Sequence, residues 1–367
     1  MQEPVLAPPP DPGPGAPKAF EFDRIFIGPH GLRAGWSVLL AYGLFYLFRT
    51  VVATVFVSAN LVNDDSGYTA ASMLLLELIP FLAMLGAGTI MAVLQQRRVL
   101  DFNLAGPRPG LRFASGLAAG FVAFSALIGA LHAGGWLRFE PKALSGAQIL
   151  GFAALWGGAF LLVGCVEEGL FRCYLQFTLT RGINFWWALA AEGALCAYLS
   201  LQTQAHGGWG VYAIALLGLF PCLALHLKLG SRSAFWQAAW VTSTFFGLIH
   251  TFNGGEDPVG IFAAASMGFV FCVSVWVTGS AWWAIGCHAA WDWAETFFYG
   301  AANSGLPAEG HFLSTAFAGN PLLSGGSDGP EGSLLALGAI VLLLALLLVL
   351  HGGKRSAAPQ GYSVADQ

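Results

Sequence analysis

The chain has 367 residues, with 16 Lys and Arg against 20 Asp and Glu, so 10% of it is charged where a soluble globular domain carries roughly 25%. With 56% hydrophobic residues and a mean hydropathy of +0.66, it holds several apolar runs beyond the roughly 18 residues that read as a transmembrane helix. This excludes an ordinary water-soluble domain and predicts an all-α, polytopic transmembrane bundle of about eight to ten spans, with membrane lipids as its surroundings. The net charge of −4 contains no long block of one sign, which excludes nucleic acid as a partner.

Residues 1–18 are dominated by Pro and Gly, which cannot bury enough apolar surface to offset the entropy of ordering, and read as a disordered tail. The first apolar run, Gly35 to Leu61, begins too late and runs too long for a signal-peptide core and reads as a span. Further spans are predicted at 71–94, 113–133, 147–179, 184–201, 209–229, 234–253, 259–277, 280–300 and 333–351. The pair at 184–201 and 209–229 flanks His206, Gly207 and Gly208 and reads equally as a broken or re-entrant hairpin. Gly116 and Gly120 form a GxxxG in the third span, and Gly86 and Gly88 mark the second; both predict close helix packing. No internal repeat of the transporter kind is visible.

Loop charge orients the bundle. Lys18, Arg24 and Arg33 precede the first span, Arg97, Arg98 and Arg108 follow the second, and Lys354 and Arg355 follow the last, so both termini are expected to be cytoplasmic in a multi-pass plasma-membrane protein. The loops carrying Asp64 and Asp65, and Glu256 and Asp257, then lie outside. The expected organisation is a tail at 1–18, N-terminal spans at 19–145, a core at 146–300, an extracytoplasmic loop at 301–332 rich in Gly, Ser and Pro, a last span at 333–351 and a cytoplasmic tail at 352–367. A loop of that length reads as a lid or a disordered segment. The six cysteines, Cys165, Cys173, Cys196, Cys222, Cys272 and Cys287, lie in or beside apolar segments without metal-type spacing and read as small buried hydrophobes.

Ionisable groups within apolar spans are costly and point to function by default. Glu167, Glu168 and Arg172 interrupt the span at 147–179. On a helix Glu168 and Arg172 are about 40° apart and Glu167 and Arg172 about 140°, so Glu168 has a local cation and Glu167 does not. This makes Glu167 the candidate reactive carboxylate, with Glu168 and Arg172 as its brace; a plain Glu–Arg helix pair with a spare Glu reads equally well. Phe246 and His250 lie in the span at 234–253, followed by Asn253, and His250 alone also reads as an interfacial histidine. His288 and Asp292 share a helix face, with Glu295 near the same stripe, as a pair that orients an imidazole or merely pins the helix. Arg49 and Glu77 are expected to pair with each other or with an interface; His132, His206, His226 and His351 lie near span ends, at headgroups or water; Trp186, Trp187, Trp282 and Trp283 are expected in interfacial belts.

The ordered set Glu167-Glu168-x-x-x-Arg172, Phe246-x-x-x-His250 and His288-x-x-x-Asp292, with Gly279-Ser280-Ala281-Trp282 leading into Gly286-Cys287-His288, resembles the CPBP family of intramembrane proteases. That family includes the type II CAAX prenyl endopeptidases and bacteriocin-processing or immunity proteins, and the resemblance covers roughly residues 145–300. It implies an endopeptidase acting on membrane-associated, sometimes lipidated, peptide or protein substrates. Glu167 would be general base on a water held by His250, and His288 with Asp292 would stabilise the oxyanion, supported by Glu168, Arg172 and Phe246. Family members are often called metalloproteases, so the resemblance leaves two mechanisms: Zn²⁺ or another divalent metal on Glu167, His250 and His288, or a metal-free glutamate mechanism. The departures are Asp292, where the family also uses Asn, and the long stretch between Arg172 and Phe246. A second difficulty is depth, since His250 falls near the outer end of its span while Glu167 lies deeper, which requires a tilted or displaced span. Two readings from other classes stand beside the protease: a proton-coupled transporter using the same groups as a relay, and a proteolytically silent membrane protein that binds a partner, as in immunity.

Overall fold

The computed structural model describes residues 23–28, 31–62, 69–142, 144–201, 208–253, 255–305 and 309–353. The tail at 1–18, Asp64, Asp65, His206, Lys354 and Arg355 lie outside these residues. Each predicted apolar run forms a helix: α1 (Ala34–Ser58), α2 (Ala70–Leu94), α3 (Pro109–Ala133), α4 (Ala147–Thr180), α5 (Phe185–Leu201), α6 (Gly208–Leu229), α7 (Ala234–Ile249), α8 (Pro258–Thr278), α9 (Trp282–Trp293) and α10 (Leu334–His351). The protein is an all-α polytopic bundle. Among the described residues six helices, α1, α2, α3, α4, α8 and α10, are long and apolar enough to cross a membrane. The shorter ones matter for the site: α7 has 16 residues and spans about 24 Å at 1.5 Å per residue, less than a hydrocarbon core of about 30 Å. His250 follows α7 in a single turn, His250–Phe252, and lines the same cavity as Glu167, so the two groups reach one space from different helices.

Helix ends are set by local chemistry. Thr69 and Ser72 form a capping box at the start of α2. Asp257 Oδ1 accepts from the backbone N–H groups of Val259 (2.7 Å) and Gly260 (3.0 Å), and Pro258 occupies the first turn of α8, where its missing N–H costs nothing. At the other end of α8, Gly279 takes φ +76°, a left-handed residue that stops the helix and turns the chain into α9.

Small residues bring the site-bearing helices together. A Cβ on Gly116 or Gly120 of α3 would collide with the carbonyl oxygens of Trp283 and Cys287 on α9, and one on Gly286 with the Phe113 carbonyl on α3. The expected GxxxG packing is thus an α3–α9 crossing, and it fixes the backbone next to His288. Gly164 of α4 lies against Ile285 and Ala289 of α9, and Gly247 of α7 against Ile261 and Ala265 of α8. Phe124, Leu127, Phe271, Trp283, Trp291 and Leu343 fill the main core between α3, α8, α9 and α10. Trp283 is fully buried, which corrects the interfacial expectation: the glycine face of α3 lets α9 approach so closely that the indole is enclosed. Trp186 and Trp187 are exposed, as a belt requires. All six cysteines are free, four of them buried.

The segment between α9 and α10 is ordered where it is described. Residues Ser314–Phe317 (β2) pair antiparallel with Leu137–Glu140 (β1), Leu137 opposite Phe317 and Glu140 opposite Ser314. The segment closes in a single turn at Pro330–Gly332 before Ser333 caps α10 through the Leu335 N–H (3.1 Å).

Candidate active site

Both acidic and imidazole motifs end in π-helical turns, Gly169–Leu175 within α4 and Ala294–Phe298 after α9. A π turn widens the helix by one residue and recurs at functional sites, because it re-aims side chains a regular helix would stagger. Arg172 lies in the first and Glu295 in the second.

Glu168 and Arg172 are fully buried, with Arg172 Nε 3.2 Å from Glu168 Oε2. The guanidinium lies over the face of Phe246 (4.3 Å from Cζ to the ring centre) and near Phe271 (5.5 Å) and Phe171 (5.7 Å). Gly268 leaves it room, since a Cβ there would press on Nη2. Asn103 donates to the Arg172 carbonyl at 2.8 Å, tying the loop after α2 to this turn. The second Glu168 oxygen, Oε1, lies 2.9 Å from His288 Nδ1. A carboxylate that also pairs with a guanidinium accepts here, so Nδ1–H donates and the His288 ring is held with Nε2 pointing away from Glu168. On that side stand Asp292 Oδ2 at 3.5 Å and Glu167 Oε2 at 3.8 Å. The expected His288–Asp292 pair is present, but the ring's shortest bond is to Glu168, a contact across 120 positions that helical spacing could not reveal.

Glu167 differs from its neighbour as the helical projection suggested. Its side chain keeps 31% exposure against none for Glu168, it lines the central cavity, and its Oε2 has no hydrogen-bond partner among the described residues. His250 Nδ1 lies 2.6 Å from the Phe246 carbonyl. A carbonyl only accepts, so Nδ1 carries the proton and Nε2 presents a lone pair. Phe246 orients three site groups at once: its carbonyl holds His250, its ring lies 4.9 Å from the His250 ring and 6.1 Å from the His288 ring, and its face meets Arg172.

The cavity, about 200 Å³, reaches from Glu167, Phe271, His288 and Asp292 in the bundle to Asn253, Glu256, Asn303, Ser304 and Glu331 at one end of it. Asn253 donates to Glu256 at 3.3 Å. Glu77 lines the same cavity, and among the described residues no ion pair within 4.0 Å joins it to the exposed Arg49. His132 and His351 are bonded inside the protein, to the Leu137 carbonyl (3.0 Å) and Ser115 Oγ (3.2 Å), and His226 stacks on Phe185.

A zinc site needs three ligand atoms about 2.0–2.2 Å from one ion, hence within about 4 Å of one another. Among the described residues Glu167, His250 and His288 do not form a set with ligand atoms within 4.8 Å of each other, so they do not fit the ion as placed. Asp292, Glu295 and Glu331 do form such a set. This buried acidic cluster could coordinate a divalent metal. Sequence reasoning missed Glu331 because it falls in a Gly- and Pro-rich stretch that looks like linker; a carboxylate directly before an apolar span was the available signal.

Residues 224–294 match the family described as Type II CAAX prenyl endopeptidase Rce1-like. The match includes Phe246, His250, His288 and Asp292 and leaves out Glu167, Glu168 and Arg172, which the fold brings to the same place. It covers part of the chain and is consistent with the superfamily suggested by the ordered motifs. No curated protein and no solved structure matches the chain.

Proposed function

We propose that the protein is an intramembrane endopeptidase that hydrolyses peptide bonds with a water activated by Glu167. The observation that carries this reading is the division of labour between adjacent carboxylates: Glu168 is fully buried between Arg172 (3.2 Å) and His288 (2.9 Å), while Glu167 keeps 31% exposure, lines the cavity and stands 3.8 Å from His288. A general base must be open to the proton it takes, and its support must not be.

In this mechanism His250 Nε2 accepts one hydrogen of a water in the cavity, and Glu167 removes the other proton as the water oxygen attacks the substrate carbonyl carbon. His288 and Asp292 border the same space, and a proton held between them offers a hydrogen bond to the developing oxyanion. Collapse of the tetrahedral species breaks the C–N bond, and Glu167 returns its proton to the leaving amine. Glu168, Arg172 and Phe246 act by position. No step passes through a metal, because Glu167, His250 and His288 do not gather closely enough to hold one.

The cavity opens among loops carrying Asn253, Glu256, Asn303, Ser304 and Glu331, whereas Arg97, Arg98, Arg108 and Arg181 lie in connections at the opposite helix ends. By the distribution of Lys and Arg the mouth is extracytoplasmic, so the substrate is an exported or membrane-anchored peptide segment presented from that side. The test is incubation of purified protein in nanodiscs with a peptide library in H₂¹⁸O, read by mass spectrometry. Internal cleavage with one ¹⁸O in the new carboxyl terminus is expected; a library left intact by protein shown to be folded would refute hydrolysis as its activity.

A further inference from the structure

We propose that Asp292, Glu295 and Glu331 form a binding site for a hard divalent cation, Ca²⁺ or Mg²⁺, that locks the segment preceding α10 onto the end of α9. The ligand oxygens of these three residues all lie within 4.8 Å of one another. They come from two elements distant in sequence, the α9 helix with its π turn and the single turn at Pro330–Gly332. Two of the three are buried.

Proximity of acids alone would not assign a ligand. The deciding feature is Glu295, which has no exposed surface and whose two carboxylate oxygens have no hydrogen-bond partner among the described residues. A buried carboxylate without a donor or counter-charge is among the costliest groups a protein can hold. Here its oxygens lie beside two further carboxylates, and among the described residues no side chain donates to them. The other members are already oriented. Trp291 Nε1 donates to Glu331 Oε1 at 2.7 Å, leaving Oε2 for an ion, and Asp292 Oδ2 lies 3.5 Å from His288 Nε2. A divalent cation cancels most of the accumulated charge and supplies the counter-charge that Glu295 lacks among the described residues.

Donor chemistry selects the ion. The set offers carboxylate oxygen and no sulfur or imidazole in the cluster, which suits Ca²⁺, Mg²⁺ or Mn²⁺ rather than Zn²⁺. Further coordination falls to water in the adjoining cavity. The consequence is structural: with the ion bound, the turn at 330–332 is fastened to the helix that carries His288, and Asp292 is held opposite the imidazole. This site shares Asp292 with the oxyanion-stabilising pair of the proposed function and leaves Glu167 and His250, the water-activating residues, outside it.

The test uses the full-length protein in detergent or nanodiscs, stripped with EDTA and followed by thermal unfolding while CaCl₂, MgCl₂ or ZnCl₂ is added. Saturable stabilisation by Ca²⁺ or Mg²⁺ is expected, lost in Glu295→Gln, with one Mn²⁺ per chain detectable by electron paramagnetic resonance in wild type and absent in the variant. Should Glu295→Gln fail to accumulate, Glu331→Gln serves, since it keeps an oxygen for Trp291. Stability that responds to pH but not to any of these cations would overturn the proposal in favour of shared protons, and a preference for Zn²⁺ would overturn the assignment of the ion class. Peptide cleavage is read separately, so failure of the cation site and failure of the peptidase reading are distinguishable.

Discussion

Glu168→Gln isolates the charge at the centre of the site. Glutamine keeps an oxygen that accepts from His288 Nδ1, now 2.9 Å from Oε1, but removes the anion 3.2 Å from Arg172 Nε. The guanidinium then remains fully buried. Breaking a buried pair by deleting one partner typically costs about 3–5 kcal/mol. The Phe246 face at 4.3 Å stays against the guanidinium in both proteins and cancels from the difference. The loss is about 3 kcal/mol or more, at least on the order of 10²-fold in the unfolding equilibrium. Arg172→Met on the same background removes the stranded cation and should restore at least half of the loss. Equilibrium unfolding in bicelles across the four-member cycle measures both quantities. If Glu168→Gln is as stable as wild type, or if adding Arg172→Met lowers stability further, the ion pair is not what holds the site and the supporting role of Glu168 is wrong.

Gly120→Leu should prevent α9 from closing on α3, because any Cβ there meets the Cys287 carbonyl; folded yield should collapse, whereas Gly129→Leu on the same helix, with open space around it, should be tolerated in a side-by-side size-exclusion profile. Asp328, fully buried in the loop before α10, has its carboxyl pushed up by burial and by Glu256, Glu331 and Asp257. A raised folded carboxyl binds its proton more tightly than the unfolded chain does, so its contribution is complete below about pH 4 and is lost as pH rises from there. Asp328→Asn should therefore flatten the fall in stability between about pH 5 and 9 in EDTA, and an unchanged slope would show that Asp328 is not the titrating group. Reporter fusions after Gly353 and within residues 314–325 should fall on opposite membrane faces, the former cytoplasmic; the inverse pattern would turn the cavity mouth toward the cytoplasm.

Much of this was legible in the sequence because a bilayer enforces simple rules. Apolar runs at the length of a span become helices, and every predicted run does so here. Glycines spaced by four on one face mark a crossing, and the GxxxG at Gly116 and Gly120 finds α9. The i, i+4 geometry separated Glu167 from Glu168, and the fold keeps that distinction. What stayed hidden depends on long-range contact. Nothing local ties Glu168 to His288, places Trp283 inside rather than at the interface, or foretells the π turns that aim Arg172 and Glu295. The Gly- and Ser-rich connection read as a lid is held by pairing of β2 with β1 and delivers Glu331 to the acidic cluster, because strand pairing across 174 residues leaves no local periodicity.

The most direct test of the central claim is the single-turnover rate of Glu167→Gln on a peptide that the wild-type protein cleaves, with both proteins shown to be folded by their unfolding curves in nanodiscs. The account predicts a variant with near wild-type stability, since Glu167 has no hydrogen bond to lose at Oε2, and a fall in cleavage of roughly 10²-fold or more on removal of the base. Cleavage by Glu167→Gln at the wild-type rate would contradict it.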